Sequence, residues 1–128
     1  MNKINWETIE NFTEDEFRCQ CGCGICNVNV HFLCMLEEAR RIAGIPFKIT
    51  SGCRCKRHNK DEGGHEKSRH IATKYLACSA CDIAVNTERK RFIIVRALME
   101  AGFKNIRINK EKNFVHVDDD QRLKLGIY

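Results

Sequence analysis

Apolar positions recur at spacings of three and four between Val30 and Ala43, where Phe32, Leu33, Leu36, Ala39 and Ala43 form one stripe. That period predicts an amphipathic helix, with Asn29 placed to cap its start and Gly44 to end it. The segment "IPFKITSG" then reads as a short strand closed by a Ser-Gly turn. Residues 51–79 are polar, basic and glycine-containing, without sustained periodicity. They read as a long loop, which in a small domain is functional or disordered. "CDIAV" returns to a buried-strand pattern, and Thr87 caps a second helix carrying Phe92, Ile93, Val95, Ala97, Leu98 and Met99 that stops at Gly102. "NIRIN" and "NFVHVD" alternate on either side of the polar turn "KEK", a hairpin signal that puts His116 on one face with Phe114 and Asp118.

These elements predict an α+β fold, a small single domain over residues 1–128 with an antiparallel sheet of about four short strands packed with two main helices. With 128 residues there is room for one core and little more, and a monomer is expected. No internal repeat is visible.

Composition narrows the class only a little. Hydrophobic residues make up 43% and charged residues 30%, with a single proline, so the chain is a folding one rather than a disordered one. The formal charge of +5 favours anionic partners such as nucleic acid, wall polymers or carboxylates without choosing among them. "MNKINWETIENFTEDEF" lacks the apolar stretch of a signal peptide, and no later segment approaches a membrane span. The expectation is a protein that is cytoplasmic at synthesis and has no membrane partner. Nine cysteines are many for this length, and an odd number leaves one outside any internal disulfide scheme. Without an export signal, metal ligation or reduced thiols are the expected state.

The chemistry-bearing residues crowd into "HNKDEGGHEKSRHIATKYLACSACDIAV". Hydrolytic zinc sites take three ligands from His, Asp or Glu and leave one position for water. His58, His65, His70, Asp82, His116 and Asp118 are the candidates. Each alone is more simply a surface or hydrogen-bonded residue, so it is their combination that points to a site.

Several stretches resemble, in order, the zinc D-Ala-D-Ala peptidases of bacterial cell-wall metabolism. They are "EFRCQCGCG", "LEEARRIAGIPFKITSGCRCKRHNKDEGGHEKSRH", "ACDI", "RALMEAGFKNIRI" and "FVHVD". That family includes carboxypeptidases and phage endolysins, and it shares its fold with the amino-terminal domain of Hedgehog. The resemblance implies a zinc cofactor held by His70 of a Ser-x-His motif, Asp82 of Ala-x-Asp and His116. It implies Arg54 and Ser68 as substrate-binding residues.

Two features depart from the family's pattern. Asp82 follows His70 by twelve residues, and the position where the shorter family link would put the aspartate is Ala77. A five-residue insertion bulging from the loop accounts for this, since lengthening a loop costs little. His65 is the rival first ligand. Second, the residue three before the last histidine, a carboxylate in several relatives, is Asn113. The general base must then be Asp118 or Glu111, or be missing; Asp118 has a competing role in orienting a ligand.

Cys19, Cys21, Cys23 and Cys26 fall within eight residues, with two further close pairs, Cys53 with Cys55 and Cys78 with Cys81. A second, four-cysteine structural zinc built from two such pairs, disulfides, or free thiols all remain open, and Cys34 reads as core.

The function expected is hydrolysis of peptidoglycan stem peptides by a zinc peptidase, a D-Ala-D-Ala carboxypeptidase or an endolysin-type endopeptidase, encoded by a phage or prophage. A catalytically inactive zinc-containing binding module of the same fold is the alternative. A cysteine-rich nucleic-acid binder ranks last: the basic residues are scattered and the cysteine spacings match no familiar finger, so no nucleic-acid partner is expected.

Overall fold

The apolar stripe folds over the predicted span: in the computed structural model, which describes residues 4–128, α2 runs Val30–Ala43. Asn29 accepts a hydrogen bond from the Phe32 N–H at its start, and Gly44, at φ 68°, takes the left-handed conformation at its end. A short helix α1 (Glu14–Phe17) precedes it, closed by a capping box between Thr13 and Glu16. β1 (Ile49–Ser51), β2 (Ala80–Ala84), α4 (Glu88–Glu100), β3 (Asn105–Asn109) and β4 (Phe114–Asp118) follow the sequence pattern.

Besides α1, which no apolar period announced, two elements differ from expectation. Residues 51–79 are not one uninterrupted loop, because α3 (Lys56–Asp61) forms inside them. It has too few apolar residues to register as a periodic helix. A fifth strand, β5 (Lys124–Ile127), pairs parallel with β3 at the sheet edge. Its Leu125 and Ile127 face outward at 55% and 78% exposure, so it lacks the buried alternation by which strands are read from sequence. The sheet has the order β1-β2-β4-β3-β5 and is antiparallel except for that last pairing.

The sheet separates two environments. Cys81, Ile83, Ile106, Val115 and Val117 project from one face and are fully buried in a core with Phe32, Leu33 and Leu36 of α2 and Ile94 and Leu98 of α4. Each large side chain buried there contributes roughly 1.5–3 kcal/mol relative to exposure. The alternate residues Asp82, Asn105, Arg107, His116 and Asp118 point to the other face and form the floor of a cleft. Register places Asp82 directly opposite His116, and Asn105 opposite Asp118.

Candidate metal centre

The cleft holds about 920 Å³ between the polar sheet face and the segment containing α3. At its floor Asp82 and His116 meet because β2 and β4 pair there. His70 arrives from the loop. Its backbone is stitched to the turn before α3, the Arg54 N–H donating to the His70 carbonyl at 2.7 Å and the Ala72 N–H to that of Arg54 at 2.8 Å. The three residues are 3%, 4% and 9% exposed for His70, Asp82 and His116 respectively.

Their ligand atoms converge. Asp82 Oδ1 lies 3.2 Å from His70 Nε2 and 2.9 Å from His116 Nδ1, and the two nitrogens are 3.3 Å apart. Donors held about 2.0–2.1 Å from a zinc ion at tetrahedral angles stand roughly 3.3 Å from one another, so the spacing fits.

The far side of each ring shows which nitrogens are free to ligate. His70 Nδ1 lies 2.7 Å from the Gly52 carbonyl, which only accepts, so Nδ1 carries the proton and Nε2 offers a lone pair. His116 Nε2 lies 2.8 Å from Asp118 Oδ2, which likewise leaves Nδ1 facing Asp82. Two lone pairs and a carboxylate therefore point at one place, an arrangement that requires a cation or a shared proton. In the metal-free protein the proton serves: burial disfavours a charged His116, but hydrogen bonds with Asp118 and Asp82 outweigh it and raise its pKa to about 8. Burial also opposes ionisation of Asp82, yet the bonds from His116 and His70 hold its carboxyl well below the usual carboxylate range.

Gly52 is fixed by packing as well as by its carbonyl. A Cβ there would lie 2.8 Å from Phe17 Cα and 2.9 Å from Phe17 Cδ1, so only glycine allows this close approach.

The remaining sequence candidates separate by position. Arg54 Nη2 sits 3.4 Å from Asp82 Oδ2, its Nε donates to Ser51 Oγ at 3.1 Å, and the guanidinium lines the cleft beside the ligands. Ser68 also lines the cleft, and its Oγ accepts the His70 N–H at 3.2 Å, shaping the loop that delivers the histidine. His65 accepts the Lys67 N–H with Nδ1 and stands apart from the three converging residues. Asp118 lies behind His116 rather than at the converging point. Both its oxygens accept from Asn105 Nδ2 at 2.9 Å, and Oδ1 also accepts the Asp120 N–H. Glu111 is exposed in the β3–β4 turn and does not line the cleft. Asn113 occupies that turn at φ 55°, a left-handed conformation that asparagine tolerates better than most residues.

The long link between His70 and Asp82 also has a defined shape. Ile71 and Ala72 are buried, Thr73 N–H bonds to the Leu76 carbonyl to form a turn, and Tyr75 at its tip is 88% exposed. None of residues 71–79 lines the cleft.

The cysteines fall into groups that differ from the nearest-in-sequence pairs. Cys19, Cys21 and Cys23 gather with Cys55. Cys26 lies against Cys53, whose Sγ is 2.8 Å from that of Cys78. Cys81 stands alone in the core, where burial pushes its thiol pKa well up, and Cys34 is exposed on α2, not core.

Asn59 reads in the sequence as a loop-shaping residue, but its contact with Arg54 was missed, as was Asn105 altogether. Asn59 is 2% exposed; its Oδ1 accepts from Arg54 Nη1 at 3.4 Å, and its Nδ2 donates to the His65 carbonyl. Neither asparagine carries a motif that would single it out. Among the described residues no helix is long and apolar enough to cross a membrane.

A family model described as Peptidase M15 matches residues 10–118, a span that includes all three converging residues. No curated protein matches the chain.

Proposed function

From the premise that the chain belongs to the Peptidase M15 family of zinc peptidases, we propose that it hydrolyses peptidoglycan stem peptides, with zinc held by His70, Asp82 and His116. The observation that carries this reading is the convergence of those three buried ligand atoms at the floor of an open cleft. When bound there, zinc supplies polarisation of a carbonyl and a lowered pKa for a water molecule.

The chain's own residues supply the rest. Arg54 presents a fixed positive charge next to the centre, suited to a substrate carbonyl or carboxylate. Lys67, Arg69 and Arg107 line the same cleft and extend that preference along it, which favours a peptide ending in a free carboxylate. Asp118 acts as a positioning residue, holding the His116 ring and its tautomer. Action on the wall follows release from the cell, as for a phage or prophage product.

A second reading, a non-catalytic zinc module binding a wall peptide in the same cleft, is favoured by one observation. Asp82, Asp118 and Asp120 in the cleft are each engaged, with Arg54, Asn105 and Arg122 respectively, and position 113 is an asparagine. Incubation with a defined stem pentapeptide followed by mass spectrometry separates the possibilities. Loss of a terminal D-alanine marks a carboxypeptidase, internal cleavage an endopeptidase, and saturable binding of an intact peptide the second reading.

A further inference from the structure

A second group of ligating side chains lies outside the histidine centre. One sulfur from each of Cys19, Cys21, Cys23 and Cys55 lies within 4.8 Å of the other three. Cys21 Sγ is 3.5 Å from that of Cys19 and 3.7 Å from that of Cys55. Four thiolates bound at about 2.3 Å around a tetrahedral zinc stand roughly 3.8 Å apart, so the cage needs little adjustment.

The backbone is shaped for this gathering. Gly22 at φ 91° and Gly24 at φ 81° adopt left-handed conformations that turn the chain sharply enough to bring three alternate cysteines around one point. Two backbone amides point at the sulfurs: the Cys55 N–H donates to Cys19 Sγ at 3.4 Å and the His58 N–H to Cys55 Sγ at 3.3 Å. Such bonds favour a thiolate, and the Arg57 guanidinium beside Cys21 and Cys55 offsets the negative charge that four thiolates leave on the site.

We propose that Cys19, Cys21, Cys23 and Cys55 hold a structural zinc ion as four thiolates. On binding, each thiol gives up its proton to solvent and its sulfur donates a lone pair to the metal. Four protein ligands leave no open position, so this ion takes no part in hydrolysis.

Its effect is on the wall of the cleft. Cys55 directly follows Arg54, and Gln20, between two of the ligands, lines the cleft and donates to the Thr50 carbonyl. The ion clamps the loop carrying Gln20 to the segment carrying Arg54, holding both from behind.

The test is zinc content and cobalt spectroscopy on the full chain, purified under reducing conditions without chelator. Cys21→Ser/Cys23→Ser is expected to lose one zinc per chain relative to wild type while the histidine centre keeps its own. His70→Ala/His116→Ala should lose the other. Cobalt-loaded wild type and the histidine variant should both show intense thiolate-to-cobalt charge-transfer absorption, and Cys26→Ser/Cys34→Ser should leave it unchanged. Absence of that absorption from cobalt-loaded wild type would overturn the proposal whether or not the cysteine variant folds. So would unchanged zinc content in a folded cysteine variant. Neither outcome touches the peptidase reading, which rests on the histidine variant.

Discussion

His116 Nε2 lies 2.8 Å from Asp118 Oδ2, on the side of the ring opposite Asp82. The pairing makes Asp118 the residue that fixes which nitrogen of His116 faces Asp82 and His70. Asp118→Asn puts an amide where Asn105 Nδ2 and the Asp120 N–H now donate. It is expected to weaken zinc binding about 10–100-fold, the usual effect of losing such a partner. At saturating zinc most activity should return. A chelator titration alongside kcat at high zinc checks this, and activity that stays lost at full zinc occupancy would instead make Asp118 the general base.

Zinc binding should strengthen as pH rises toward 8. In the metal-free fold His116 has a pKa raised from 6.5 to about 8. The stability this gives is fully present below about 6.5 and is lost as pH rises through about 8. Zinc takes the place of that proton, so its affinity climbs by up to about tenfold per pH unit below the raised pKa. Thermal melts with and without zinc are expected to show a larger zinc-induced rise in Tm at pH 8.5 than at pH 6.5; an equal or smaller rise would contradict the proton's placement.

Arg54→Ala should keep zinc and lose turnover. The guanidinium bonds to Ser51, Asn59 and Asp82 while lining the cleft. Removing a charged hydrogen-bond partner of substrate, worth roughly 1.5–3 kcal/mol, lowers kcat/KM by about 10–150-fold. Zinc content and kcat/KM measured on the same preparation test it; unchanged kcat/KM would reduce Arg54 to an anchor for Asp82.

The turn in the long link is expected to be dispensable for chemistry. Tyr75 and Leu76 are 88% and 53% exposed and lie outside the cleft lining. Tyr75→Ser and Leu76→Ser should each change stability by no more than about 0.5 kcal/mol and leave activity unchanged. A tenfold fall in activity in either variant would bring that turn into substrate contact.

What the sequence showed in advance followed physical lines. α2, α4 and the β3–β4 hairpin were legible because each buries one face, and burial writes a period into the chain. β5 was not, since its apolar residues face outward, and α3 was not, since it is held by its cap and neighbours rather than by an apolar stripe. In the site, the gathering of His70, Asp82 and His116 could be anticipated from motif resemblance, as could a five-residue insertion bulging from the link between them; that it is the turn at Thr73–Leu76 could not. Of the contacts that set the ring tautomers, the sequence offered Asp118 as a ligand-orienting residue, but not the others: Gly52 acts through a backbone carbonyl, and Asn105, which holds Asp118, acts through strand register. The partner of Cys19, Cys21 and Cys23 was equally hidden, because nearness in sequence favoured Cys26 while the fold supplies Cys55.

The most direct measurement is the release of new amino groups and D-alanine from purified peptidoglycan by wild-type protein, before chelation, after chelation and after zinc is restored, beside His116→Ala. A zinc peptidase releases them, stops when zinc is removed, recovers when zinc returns, and is inert with His116→Ala. No release by zinc-loaded wild type from walls of several cross-link types, or release that survives loss of the metal, would contradict hydrolysis at the His70, Asp82 and His116 centre.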